Sequence, residues 1–293
     1  MLSSAIRDKL RNQAYRELHF KAVAVLQGLP KPNWYDAQFL TMFEAAKHFL
    51  NLVRPDCVDT FVEGFDVLRT PKDFTVKKKE ALFDEATRKQ IDDIVACLPS
   101  QDLERHEVEA FGRDIVHDHP FFSGLQADLT RLVSDLVGCE LEPGYNFLSL
   151  YGSHGQCALH LDHPLSMYTL DYCIAENANW PIYVSKAIDW PELASIRGWT
   201  PETVMNDPAN EFREFMIEPG NGIIFSGSGQ WHYRNAMKRP GYCHLLFFHY
   251  FPKGSEALVY FSHWPELFDI PELTVLCDLF EEVYPHLARK ESQ

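Results

Sequence analysis

The chain is short of positive charge. Its 293 residues include 27 Lys and Arg against 42 Asp and Glu, a formal net charge of -15. A surface that acidic repels phosphate backbones, so nucleic acid is not an expected partner. The one basic run, Lys77-Lys78-Lys79, reads as the solvated start of a helix. Long apolar runs are also missing: none approaches the roughly 18 residues of a membrane span, and no membrane partner is expected. The opening Met-Leu-Ser-Ser-Ala-Ile-Arg-Asp-Lys is too charged for the apolar segment of a signal peptide. No CxxC occurs. The seven cysteines, at positions 57, 97, 139, 157, 173, 243 and 277, are odd in number and sit in apolar stretches. There Cys behaves as a small hydrophobe, which points to a reducing, cytoplasmic location without a disulfide framework. Repeats, low-complexity segments and Gly/Ser-rich linkers are absent too, so a single structural unit is expected.

What is present changes character along the chain. Residues 3–28 carry a charged, Ala- and Leu-rich helical pattern that Pro30 and Pro32 end. Phe39, Met42, Phe43, Ala46 and Phe49 recur at helical spacing within 35–53, and that aromatic stripe reads as core. Further helices are expected at 84–97 and 121–137. From about 140 the runs become short, β-branched or aromatic, and bounded by Gly, Pro, Asn and Asp. Strands are predicted at 145–151, 156–161, 168–175, 181–185, 215–217, 222–226, 232–235 and 242–251. Eight strands with few helical patterns between them suggest an antiparallel sandwich or barrel. Residues 189–212 read as a polar insertion with short helices, and 264–289 return to helix. The expected organisation is an α+β protein: a helical region over 1–138, a β core over 139–255, and a helical tail over 256–293.

Within the β core, His160-Leu161-Asp162 forms an H-x-D pair. On a strand, positions i and i+2 face the same way, so both side chains can aim into one cavity. Further on, Glu218-Pro-Gly-Asn-Gly-Ile-Ile-Phe leads through a Gly-Ser-Gly loop to His232 at the start of another strand. Two imidazoles and one carboxylate on one face of an iron leave adjacent positions open, the donor set of non-haem Fe(II) oxygenases. His160, Asp162 and His232 are therefore the expected metal ligands and catalytic centre. A second His-rich stretch, His117-Asp118-His119-Pro120, reads instead as a helix-capping segment. His163 is expected, by alternation, to point away from the metal, or else to help shape the mouth of the site.

Over residues 125–252 the chain resembles the 2-oxoglutarate/Fe(II)-dependent dioxygenase superfamily. The resemblance is carried by the strand ending Tyr151-Gly152, by His160-Leu161-Asp162-His163-Pro164, by Tyr168-Thr169-Leu170, by the E-P-G-x-G-I-I-F turn and strand, and by His232. The H-x-D-x-P form is similar to the prolyl-hydroxylase-like branch. It implies a double-stranded β-helix (jelly-roll, cupin-like) core. It also implies Fe(II), 2-oxoglutarate and O2, with 2-oxoglutarate split to succinate and CO2 while an unactivated C–H bond is hydroxylated. Asp162 stands where halogenases of the superfamily have Gly or Ala, so hydroxylation or desaturation is expected over halogenation. The substrate would be an amino acid, another small metabolite, or a peptide side chain.

One part of the family pattern is missing. The superfamily places Arg or Lys about ten residues after the distal histidine to hold the far carboxylate of 2-oxoglutarate, and Gly241-Tyr242-Cys243-His244-Leu245 has neither. A buried carboxylate needs a partner. Arg234, Arg239 and His244 are the available substitutes, with Tyr151 as a hydroxyl that orients the cosubstrate. Arg234, which shares the face of His232, is the favoured one, assisted by His244. The absence keeps open a 2-oxoglutarate-independent, cupin-type iron oxygenase. A non-catalytic jelly-roll binding protein is a third reading. The N-terminal helices and residues 176–212 are expected to wall the site or to form the interface of a homodimer.

Overall fold

The structure, a computed structural model, describes residues 3–32, 34, 36–195, 198–238 and 240–284. It contains ten strands: β1 (Lys77–Lys79), β2 (Arg113–His117), β3 (Leu141–Tyr151), β4 (Cys157–His160), β5 (Tyr168–Glu176), β6 (Ile182–Val184), β7 (Arg213–Phe215), β8 (Gly222–Phe225), β9 (His232–Arg234) and β10 (Cys243–Pro252). They form a six-stranded sheet in the order β1-β8-β5-β10-β3-β2 and a four-stranded sheet in the order β4-β9-β6-β7. Every pairing is antiparallel. Along the chain β3 to β10 pass back and forth between the two sheets, and this winding is the double-stranded β-helix.

The period of two along β10 shows how the sequence builds the layers. Leu246, Phe248 and Tyr250 turn outward into a core shared with the helices Glu85–Cys97 and Pro120–Val137. Leu245 and Phe247 turn inward to meet Ile182 and Val184 of the smaller sheet. A third core joins the helices Gln13–Gly28, Gln38–Val53 and Thr274–Val283, where Phe39, Phe43, Phe61, Phe65 and Trp264 interlock edge to face. Trp190 and Trp231 extend this aromatic core to the mouth of the barrel.

Several helix ends follow local chemistry. The run expected as one helix over 3–28 is two, Ser4–Lys9 and Gln13–Gly28, because the Asn12 side chain accepts the Tyr15 N–H at 3.2 Å and starts a new helix. The helix expected from 35 starts at Gln38, since Asp36 stands in the left-handed region with φ 66°. As expected, His119 caps the helix Pro120–Val137, its Nδ1 accepting from the Phe121 N–H.

The N-terminal region is less purely helical than its sequence suggests. Lys77–Lys79 is not a helix start but the outer edge of the large sheet, on β8. Three lysines there oppose edge-to-edge association, a common use of charge on exposed strands. Arg113–His117 closes the opposite edge, paired with β3. No helix among the described residues is long and apolar enough to cross a membrane.

Candidate metal centre

His160 and His232 stand directly opposite each other where β4 and β9 pair, their ring centroids 4.2 Å apart. The Nδ1 atom of His160 lies 2.8 Å from the Ala158 carbonyl, and that of His232 lies 3.0 Å from the Gln230 carbonyl. A carbonyl only accepts, so each Nδ1 carries the proton and each Nε2 presents a lone pair. Both Nε2 atoms face Asp162 Oδ1, at 3.1 Å from His160 and 3.4 Å from His232.

Asp162 is fixed from three sides. Its N–H donates to the Gly227 carbonyl at 2.9 Å. Thr169 Oγ1 donates to its second oxygen, Oδ2, at 3.4 Å. Gly227 lies so close that a Cβ there would come within 2.1 Å of Oδ2, so only glycine fits. The Gly-Ser-Gly loop thus makes room for the carboxylate as well as delivering His232. Burial works to raise the Asp162 pKa, but His232 and His160 hold it well below the usual carboxylate range.

These three residues form the one His/Cys/Asp/Glu group among the described residues whose ligand atoms gather closely enough for an ion, within 4.8 Å of one another. Ligands at right angles around a metal, each about 2.1 Å from it, lie about 3 Å apart. The observed 3.1 and 3.4 Å fit that arrangement. Two neutral imidazoles and one carboxylate, with backbone carbonyls orienting the rings, suit a divalent first-row transition metal.

A cavity opens from the triad into the barrel. Tyr151 lies on its wall, and its hydroxyl accepts from Arg113 Nη1 at 2.7 Å. Arg234 also lines the cavity, as alternation from His232 predicts, but its guanidinium is engaged. Nη2 donates to Asp171 Oδ2 at 2.7 Å, and Nη1 to the Trp180 carbonyl at 2.6 Å. Asp171 is fully buried, and burial raises its pKa against the opposing pull of Arg234. His244 does not line the cavity: it shares the outward face of β10 with Leu246 and Phe248, and its ring meets that of Tyr242 at a tilt, centroids 4.9 Å apart. That corrects its expected role beside the cosubstrate. Arg239 lies outside the described residues. His163 is turned from the cavity, as expected; its Nδ1 accepts from the Leu165 N–H and its ring meets Phe39.

Four cavity residues, Arg113, Glu107, Asp36 and His249, escaped the reading of the sequence. Arg113 is buried on β2, bonded through Nε to Glu107 at 2.5 Å and through Nη1 to Tyr151. Asp36 comes from the N-terminal region, and His249 from the inward face of β10. The alternation Leu245, Phe247, His249 contained the signal for His249. A five-residue edge strand carries no comparable periodic signal for Arg113.

No protein-family model and no curated protein matches the chain. Several solved structures are similar to part of the chain at low identity. HygX from Streptomyces hygroscopicus, solved with nickel and 2-oxoglutarate bound, is 14% identical over 66% of this chain and 86% of its own, with a TM-score of 0.48. A Pseudomonas putida prolyl-4-hydroxylase is 12% identical over 61% and 93%, with a TM-score of 0.43. EctD from S. alaskensis, solved with 2-oxoglutarate and 5-hydroxyectoine, is 17% identical over 60% and 72%, with a TM-score of 0.44. Likeness at this level assigns no function, which resides in the site.

Proposed function

We propose that the chain is an Fe(II)- and 2-oxoglutarate-dependent oxygenase that hydroxylates an unactivated C–H bond of a small molecule or a peptide side chain. The observation that carries this reading is the convergence of His160 Nε2, His232 Nε2 and Asp162 Oδ1 on one point at the head of a walled cavity. His160, Asp162 and His232 would hold the iron. Bound there, with 2-oxoglutarate and O2, it supplies the oxidising power that a protein side chain lacks.

The chain's own residues supply the rest. The Ala158 and Gln230 carbonyls keep both imidazoles in the ligating tautomer. Thr169 occupies Asp162 Oδ2, leaving Oδ1 as the ligand atom. Phe147, Phe225 and Phe247 line the cavity and exclude water from it. For the far carboxylate of 2-oxoglutarate we favour Arg113 with Tyr151. Arg234 bonds Trp180 and Asp171 through both of its terminal nitrogens, whereas the hydrogen bonds of Arg113, to Glu107, Ser149 and Tyr151, run through Nε and Nη1 and use neither N–H of Nη2.

One observation supports a second reading. Both cavity guanidiniums already have carboxylate partners, Glu107 and Asp171. That suits an iron oxygenase whose substrate, with no 2-oxoglutarate, occupies the open positions. Succinate release separates the two. With Fe(II), 2-oxoglutarate and O2, the wild type is expected to release succinate and His232→Ala is not. Metal-loaded wild type that consumes O2 without succinate supports the second reading.

A further inference from the structure

Asp36 is a carboxylate in the cavity without a cation. It comes from the segment between the helices Gln13–Gly28 and Gln38–Val53, beyond the β core, and it lines the cavity with His160, Asp162 and His232. The segment is pinned on both sides of the triad. The Trp34 ring meets Trp231, the neighbour of His232, edge-on at 5.0 Å. Asp36 Oδ2 accepts from the backbone N–H of His163, the neighbour of Asp162, at 3.4 Å. Asp36 also holds a left-handed backbone, φ 66°, which turns it out of the following helix. No Lys, Arg or His pairs with it among the described residues. Burial, reinforced by Asp162 and opposed by His160, pushes its pKa up to about 6 in the metal-free protein.

A second acceptor in the same cavity is unsatisfied. His249 is 3% exposed and its Nε2 has no hydrogen-bond partner. Its Nδ1 lies 3.0 Å from Thr169 Oγ1, whose proton is directed to Asp162, so Nδ1 carries the ring proton and Nε2 is a bare lone pair. Burial keeps the ring neutral, lowering its pKa to about 4.

Charge balance points the same way. Each guanidinium is matched by one carboxylate, Arg113 by Glu107 and Arg234 by Asp171. A divalent metal, Asp162 and dianionic 2-oxoglutarate together carry one net negative charge. Asp36 adds another, and nothing in the cavity offsets it. Unpaired charge in a buried site is costly, and the remaining component is the substrate.

We infer that the substrate carries a protonated amine, which Asp36 receives at the cavity mouth, and that Asp36 and His249 together select a cationic, donor-rich molecule with an apolar body. The inference rests on the oxygenase reading, because the charge balance counts 2-oxoglutarate. The apolar body follows from the walls, Phe111, Phe147, Phe225 and Phe247.

The test uses Ni(II), which binds the same donor set without turnover, and the probes 2-phenylethylamine and 2-phenylethanol, which share a body and differ in charge. Calorimetry first measures Ni(II) and 2-oxoglutarate binding to the full chain, then each probe on the loaded protein. The amine is expected to bind at least about tenfold more tightly than the alcohol, and Asp36→Asn to remove that preference while Ni(II) affinity stays unchanged. Asn tolerates the left-handed backbone, so the variant keeps the fold; its thermal unfolding and that of Asp36→Ala check this. Equal binding of the two probes, binding of neither, or a preference that survives in Asp36→Asn overturns the inference alone. Failure of Ni(II) or 2-oxoglutarate to bind overturns the oxygenase reading and this inference with it.

Discussion

Gly227 and Asp162 are locked together: the Gly227 carbonyl accepts the Asp162 N–H at 2.9 Å, and a Cβ on Gly227 would lie 2.1 Å from Asp162 Oδ2 and 2.5 Å from the Ser166 carbonyl. The space that lets the carboxylate face the two histidines is the space a side chain would take. Gly227→Ala must therefore move the carboxylate or the loop. Because residues that orient a ligand are typically worth about 10- to 100-fold in metal affinity, the variant is expected to lose at least about tenfold. Calorimetry with Ni(II) checks this, and wild-type affinity in a folded Gly227→Ala would show that Asp162 is not a ligand.

Arg234 and Arg113 should separate into a structural and a binding role. Arg234→Ala leaves Asp171, which is fully buried, without its cation. Losing one partner of such a pair costs about 3–5 kcal/mol, so a large fall in urea stability is expected. Arg113→Lys keeps a positive charge near Glu107 but loses the guanidinium fork. It is expected to raise the 2-oxoglutarate concentration needed for half-maximal succinate release about tenfold or more, with a smaller stability loss. The reverse pattern assigns the cosubstrate to Arg234.

The buried histidines set an acid limit on stability. Burial lowers His163 from 6.5 to about 4. Between those values the unfolded chain binds more protons than the folded one, so stability rises with pH across that window. The contribution is complete above about pH 6.5 and lost as pH falls towards 4; for a shift of this size it amounts to roughly 3 kcal/mol. Asp36, raised from 3.8 to about 6, acts in the opposite sense over most of the window, so the comparison is made between variants. His163→Gln is expected to flatten the decline in urea stability of the metal-free protein between pH 7 and 4.5. An unchanged slope contradicts the assignment.

Much of this site is visible in the sequence because it is written in local patterns. The H-x-D pair lies on one strand face, the Pro-Gly-Asn-Gly turn precedes β8, and the Gly-Ser-Gly loop precedes His232. Seven of the eight strands of the β-helix are foreshadowed by short apolar runs between turn residues, while β7, Arg213–Phe215, meets the run expected at 215–217 only at Phe215. What is hidden depends on distant partners. Arg234 does point inward, yet its pairing with Asp171 joins residues 63 apart in the chain. Arg113 and Lys77–Lys79 lie on short edge strands whose charged residues carry no period of two. Asp36 comes to the cavity through partners far along the chain, the Trp34 ring against Trp231 and its own bond to the His163 N–H.

The most direct test of the central claim is the visible absorption spectrum of the protein with Fe(II) and 2-oxoglutarate under anaerobic conditions. Chelation of an Fe(II) held by His160, Asp162 and His232 is expected to give a weak metal-to-ligand charge-transfer band that saturates at one iron per chain and is absent in His232→Ala. No band in the wild type, or a band that persists in His232→Ala, contradicts the account.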